Sequence, residues 1–255
     1  MTGASSGIGR AIAHELAARG VDLVVCAEDA GIDRTAEELR VHGGEVTAAR
    51  TDLRDPDDVD ALWVLAGTGG PPDLVVLNAG VGVGGGTFAE TPLEEHLDVI
   101  QLNVRSTVQL AGLAVPELLR RRTGRILITA SLVAGMAGPY QTTYNASKAF
   151  LANFAAGLRH ELRTSKVTVT TLLPGPVETA FFARAGMSDT LLGRLTKERP
   201  EAVARRAVRA LLSGRPTVVA GPRMGTPGAL LLTVLPQGVR TRLQAMLSRP
   251  RERRR

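Results

Sequence analysis

Aromatic side chains make up only 3% of the 255 residues. With so few rings available to stack on bases, the formal charge of +6 does not describe a nucleic-acid surface, and no nucleic-acid partner is expected. Much of that excess sits in Arg249, Arg251, Arg253, Arg254 and Arg255. It reads as a solvated basic tail, with peripheral contact to a membrane surface or an acidic partner as the alternative use. Cys26 is the one cysteine, inside the apolar run LVVC, which excludes an intramolecular disulfide and fits a buried small hydrophobe. No apolar run reaches the roughly 18 residues of a spanning helix, and no charged-then-apolar leader is visible, so the expected location is the cytoplasm.

Two further scarcities sharpen one stretch. The basic residues are nearly all arginine, with Lys148, Lys166 and Lys197 the only lysines, and Tyr140 and Tyr144 are the only tyrosines. Both tyrosines and Lys148 fall within SLVAGMAGPYQTTYNASK, residues 131–148. If this segment is helical, Tyr144 and Lys148 stand on one face about 6 Å apart. An ammonium at that distance is expected to favour the phenolate and lower the tyrosine's pKa from about 10 toward working pH. Such a phenol can both donate and accept a proton. Taken singly, YxxxK also fits the start of any helix.

A hydrophobic content of 44% over this length supports one large α/β domain. We assign residues 1–225 to the catalytic unit and residues 226–255, an apolar segment and the basic tail, to the same domain. The opening MTGASSGIGRAIAHELAARG reads as a glycine turn entering an amphipathic helix. Gly3, Gly7 and Gly9 let the backbone approach a pyrophosphate, whose charge the free amides at the helix start can bind. The strand-like VDLVVCA follows, as a βαβ unit requires. Only Met1 precedes Thr2, so the strand that should lead into the turn is absent. That strand is central, with four or five aliphatic side chains contributing roughly 6 to 15 kcal/mol. The expectation is that Met1 marks a misplaced start and that the first central strand is truncated.

Further strands are expected in EVTAARTDL, PPDLVVLNAG, RILITAS, KVTVTTLLPGP and TVVAG, alternating with helices over 32–42, 57–65, 93–121, 142–162 and 200–212. This alternation predicts a doubly wound parallel sheet of Rossmann type with helices on both faces. Ligands bind beyond the carboxyl ends of such strands, where Gly3, Asp52, Asn78 and Ser131 all fall. Asn103 lies in mid-helix, where the plain account is a side chain facing solvent. His14, His42, His96 and His160 are scattered on predicted helices, and no metal is expected. The stretch FFARAGMSDTLLGRL is irregular. The apolar segment GALLLTVLPQGVRTRLQAMLS is expected to cover the substrate pocket, pack on a second subunit or lie on a membrane.

Taken together, TGASSGIG at Thr2–Gly9, Asp52 after a strand, NAG at Asn78–Gly80, Asn103, Ser131 thirteen residues before Tyr144, YxxxK ending at Lys148, and PG at Pro174 resemble the short-chain dehydrogenase/reductase family across nearly the whole chain. The resemblance implies an NAD(P)-dependent oxidoreductase interconverting an alcohol and a ketone or aldehyde. Tyr144 is then the general acid/base, Lys148 its activator and a ribose ligand, Ser131 the group that orients the substrate oxygen, and Asn103 the holder of a water linking Lys148 to solvent. Cofactor contacts are implied for Gly3, Ser5, Ser6, Gly7, Ile8, Gly9, Glu28, Asp52, Leu53, Asn78, Ala79, Gly80, Tyr144, Lys148, Pro174, Gly175, Val177 and Thr179. Glu28, where a phosphate-binding base would stand, favours NAD, with NADP left open. The substrate pocket should draw on Ala137, Tyr140, Phe181, Phe182, Met187 and Leu191, which suits an apolar alcohol or ketone. A homodimer or homotetramer through helices 93–121 and 142–162 is implied. The competing readings are a non-catalytic dinucleotide-binding or regulatory protein on the same fold, and an inactive truncated product.

Overall fold

Aliphatic runs without polar alternation suit strands covered on both faces. The computed structural model, which describes residues 1–221 and 236–250, has six of them. They are β1 (Leu23–Ala27), β2 (Val46–Arg50), β3 (Leu74–Leu77), β4 (Gly124–Thr129), β5 (Val167–Pro174) and β6 (Thr217–Ala220). β1 pairs with β2, and β3 to β6 pair in that order, all in parallel. Between β1 and β3 stand residues 1–4. The Cys26 N–H donates to the Met1 carbonyl at 3.0 Å, the Ala4 N–H to the Cys26 carbonyl at 3.1 Å, and the Thr2 N–H to the Val76 carbonyl at 2.9 Å. The place expected for a central strand is thus held by these four residues, and the two sheets read as one order, β2-β1-(1–4)-β3-β4-β5-β6.

Alternation along the strands sends side chains to opposite faces, and each face carries its own helices. On one side α1 (Gly7–Ala17), α2 (Gly31–Arg40) and α9 (Pro200–Leu212) bury Ile12, Leu16, Leu39, Val208 and Leu211 against Val25, Leu127 and Leu172. On the other, α3 (Pro56–Ala66), α5 (Ser106–Arg121) and α6 (Thr142–Glu161) bury Leu62, Leu110, Leu118 and Leu151 against Val75, Ile126, Ile128 and Val169. Leu127 and its two neighbours therefore face different helix layers. Cys26 is buried and free.

The helix expected over 93–121 is not uniform. α4 (Leu93–Val99) runs into a π-helical turn, Ile100–Arg105, before α5 begins, and Asn103 sits inside that turn. The irregular segment after β5 contains two single turns, α7 (Phe181–Arg184) and α8 (Leu191–Arg194). The last helix, α10 (Gln237–Ser248), supplies part of the segment for which three uses were open. Its buried residues Gln244 and Ser248 face the molecule, while Val239, Leu243 and Met246 are exposed. Residues 228–235 of that segment, the boundary at 225/226 and Arg251 to Arg255 lie outside the described residues. Among those described, no helix is long and apolar enough to cross a membrane.

Candidate active site

The carboxyl ends of β1 to β5 open on one cavity of about 580 Å³. Gly3, Ser5, Ser6, Gly7 and Ile8 form one wall, and Asn78, Ala79, Gly80, Pro174, Gly175, Val177 and Thr179 form another. Glu28, Asp52 and Leu53 lie toward one end, and Ser131, Tyr144 and Lys148 are also in the lining. The family-implied residues are brought together, with two exceptions. Gly9 and Asn103 stand behind the surface.

Gly9 acts through close approach. A Cβ there would lie 1.9 Å from the Gly3 carbonyl oxygen and 2.5 Å from Asn78 Nδ2, so a side chain would displace the turn itself. Gly3 has φ +66°, and its Cβ would lie 2.8 Å from the Ala79 Cα. Asn78 Nδ2 donates to the Thr2 and Gly3 carbonyls at 3.3 and 3.2 Å, tying β3 to the turn. Ser6, in extended conformation (φ −155°), precedes α1 without a side-chain cap, which leaves the first amides of α1 to an external acceptor. A backbone cradle of this shape, with a helix start aimed into it, fits a dinucleotide pyrophosphate.

Asn103 is fully buried, which sets aside the plain account of a side chain facing solvent. Its Oδ1 accepts from the Val81 N–H at 2.9 Å, and its Nδ2 donates to the Val81 carbonyl and Ser147 Oγ, each at 2.9 Å. Both N–H donors are used, so a water held here bonds to a carbonyl oxygen and not to the amide nitrogen. The clamp fixes the loop after β3 and the turn of α6 that carries Lys148.

Tyr144 and Lys148 do share a face, with Nζ 5.9 Å from the centre of the phenol ring. The expected acid phenol is not found. Burial pushes Tyr144 up to about 12, and the Ser131 hydroxyl beside it, acting in the opposite sense, does not offset this. Burial also pulls Lys148 down to about 8. The ammonium donates to the Thr129 carbonyl at 3.0 Å and lies over the ring face, so desolvation of two enclosed groups outweighs their attraction.

This has a measurable consequence for stability. The folded value of Lys148 lies below its ordinary 10.5. Between about pH 8 and 10.5 the unfolded chain therefore binds more protons, and stability rises with pH. Up to about pH 9.5, below the range in which Tyr144 titrates in either state, the wild type should gain about 2 kcal/mol relative to Lys148→Met. Urea unfolding of both proteins from pH 7 to 9.5 measures it, and a constant difference would refute the assignment.

At the other end of the cavity the sequence reading missed Arg54. Its guanidinium pairs with Glu28 and with Asp52 at 3.0 Å, and approaches Asp98 at 3.8 Å. Asp29 accepts from Ser5 Oγ at 2.6 Å, which holds its carboxyl below the usual range. An arginine two residues after Asp52 was the available signal. Arg54 faces Glu28, Asp52 and Asp98, and Arg184, 3.4 Å from Ser6 Oγ, adds a second guanidinium near Asp29, so carboxylates outnumber cations at this end.

The expected substrate residues Phe181, Phe182 and Met187 line the cavity, joined by Leu132, Met136, Gln141, Leu192, Leu195, Arg240, Gln244 and Leu247. Ala137, Tyr140 and Leu191 do not. Tyr140 turns the chain at φ 65° and lines a small separate cavity with His96 and Phe88, and Leu191 is exposed. Sequence order hid Gln141 and Gln244, since α10 reaches the site only through the fold. Helix α10 thus lines the cavity through Arg240, Gln244 and Leu247, and its other side exposes Val239, Leu243 and Met246.

A parallel doubly wound sheet with a glycine cradle, and a tyrosine, a lysine and a serine in one cavity, defines a dinucleotide-dependent oxidoreductase. Residues 1–189 match the short chain dehydrogenase family model. The 1-deoxy-11-beta-hydroxypentalenate dehydrogenase of Streptomyces exfoliatus is 39% identical over 183 residues, 70% of this chain and 66% of that protein. A short-chain dehydrogenase from Sphingobium yanoikuyae in complex with NADPH superposes with a TM-score of 0.81 at 28% identity, covering 93% of this chain and 95% of that one. A short-chain dehydrogenase/reductase from Burkholderia phymatum in complex with NAD gives 0.79 at 28% identity, covering 88% of each chain. The chain belongs to the short-chain dehydrogenase/reductase family and is an NAD(P)-dependent dehydrogenase/reductase.

Proposed function

We propose that this enzyme interconverts an apolar alcohol and the corresponding ketone or aldehyde, with Tyr144 as general acid/base. The observation that carries this reading is the convergence of Tyr144, Lys148 and Ser131 with the glycine turn of residues 3–8 on one cavity. Gly3 to Ile8 and Asn78 to Gly80 hold the phosphates and adjoining backbone contacts of the dinucleotide, Glu28, Asp52 and Leu53 its adenosine, and Pro174 to Thr179 its carboxamide. The bound nicotinamide supplies or accepts the hydride.

Tyr144, held with its proton by burial, donates it to the carbonyl oxygen, which matches reduction at neutral pH. Lys148, charged below about pH 8, stabilises the phenolate that remains. The Ser131 hydroxyl donates a hydrogen bond to the substrate oxygen as negative charge grows on it. Phe181, with its ring centre 5.2 Å from that of Tyr144, excludes water from the proton-transfer site. Asn103 keeps Lys148's turn of α6 in register and carries the water that returns a proton.

Glu28 and Asp29 just after β1 support NAD over NADP, since a carboxylate there would repel a 2′-phosphate and could accept from a ribose hydroxyl. The test is a panel of alcohols and ketones, neutral ones and carboxylate-bearing ones of the same skeletons, assayed with NAD and NADP. Turnover with a kcat/KM ratio in favour of NAD is expected; cofactor binding without turnover on any panel member would favour the non-catalytic alternative. The reading extends to a cytoplasmic homodimer or homotetramer, supported by the exposed Leu97, Ile100, Val108 and Phe150 on the two expected contact helices. Light scattering of the purified protein gives its mass, and a monomer at micromolar concentration would remove that extension.

A further inference from the structure

Charge is sorted along the cavity. Every carboxylate in its lining, Glu28, Asp29 and Asp52, belongs to the adenosine end, whereas the part walled by Phe182, Met187, Leu192 and Leu247 contains Arg240 and no acid. Arg240 projects from α10 and is anchored by one bond, from Nη1 to the Gly135 carbonyl at 2.8 Å. Its Nε is buried without a hydrogen-bond partner, and no carboxylate among the described residues pairs with it. Two amides share the cavity lining with it, Gln244 one turn further along α10 and Gln141, whose Oε1 is buried without a partner. Gln141 Nε2 and Gln244 Nε2 both donate to Ser248 Oγ, at 2.6 and 3.1 Å, and Gln141, Gln244 and Ser248 are all at least 98% buried.

A guanidinium is permanently charged and presents a planar fork suited to a carboxylate. Partly buried against apolar walls, with no counter-ion among the described residues, it attracts an anion more strongly than it would in water. The adjoining glutamine amides, locked by Ser248, add oriented polar groups at low cost in entropy.

We propose that Arg240, supported by Gln141 and Gln244, recognises a carboxylate on the substrate, so that the enzyme acts on apolar hydroxy or keto acids and not on neutral alcohols or ketones of the same skeleton. This rests on the oxidoreductase reading for its catalytic meaning, but the binding step can be measured apart from it.

The experiment is calorimetric titration of the full chain with octanoate and with octanamide, which share length and shape and differ in charge, with and without saturating NADH. Octanoate is expected to bind at least tenfold more tightly than octanamide. Arg240→Gln should bring the two within twofold, while Arg240→Lys keeps part of the preference and all variants keep the wild-type NADH affinity. Equal binding of acid and amide to the wild type, binding of neither, or a preference that survives Arg240→Gln overturns the proposal. Should Arg240→Gln fail to fold, the wild-type ratio and its reduction in Arg240→Lys decide it. Failure to bind NADH counts instead against the oxidoreductase reading, because the acid-to-amide ratio is measured in its absence as well.

Discussion

Tyr144→Phe loses at least about a thousandfold in kcat with any substrate the wild type turns over, within the range expected for removing a positioned acid/base group. Phenylalanine keeps the ring that is 92% buried and packs against Phe181, so folding stays as it was and dinucleotide affinity falls by no more than about tenfold, the worth of the one hydrogen bond the hydroxyl can offer. Only the hydroxyl beside Ser131 is removed. Steady-state rates, an unfolding midpoint and NADH fluorescence titration on the same preparation separate loss of chemistry from loss of structure. Turnover within tenfold of the wild type would place the proton transfer elsewhere.

Gly9→Ala is the second large effect, and it falls on folding and cofactor binding together. The added methyl meets the Gly3 carbonyl oxygen at 1.9 Å and that atom's carbon at 2.8 Å, both main chain and neither free to rotate away. Relief requires the turn to move off β3, which breaks the Asn78 bonds to the Thr2 and Gly3 carbonyls. A destabilisation of about 3 kcal/mol is expected, the upper part of the range for overpacking, together with loss of measurable NADH binding. Gly157→Ala in α6 is the control, because a Cβ there meets nothing within 4 Å. Alanine at that position should be neutral or stabilising by up to about 1 kcal/mol. Urea denaturation of both variants checks the contrast, and equal behaviour would deny the close-packing role of Gly9.

Much of this molecule could be read before its structure. The aliphatic runs LVVCA, DLVVL, RILIT and VTVTTLL became β1, β3, β4 and β5, and residues marked as site candidates because they followed such runs, Asp52, Asn78 and Ser131, do converge on the cavity. A strand's two-residue alternation and a helix's recurring apolar stripe are properties of neighbouring residues, and a parallel sheet brings strand ends to one edge whatever lies between them.

What the sequence left open were the side-chain environments that distant segments create on meeting. Lys148 was expected to acidify Tyr144 because the two are four residues apart. Their enclosure by β4, α7 and the loop after β3 reverses the outcome, since desolvation grows with burial and no local spacing reports burial. For Asn103 the resemblance pointed to the site, but the sequence could not name its partners, because Val81 and Ser147 lie 22 and 44 positions away.

The chain's own order of residues therefore determined the doubly wound sheet, the dinucleotide cradle and the Ser131–Tyr144–Lys148 constellation, because each is set by patterns within a single element or at its end. Only the tertiary structure decided that Arg54 offsets Glu28, that α10 sets Arg240 and Gln244 over the substrate pocket, and which protonation states the enclosed phenol and ammonium prefer. Those outcomes follow from electrostatics in a water-poor space, and that space exists only once residues more than a hundred positions apart have closed around it.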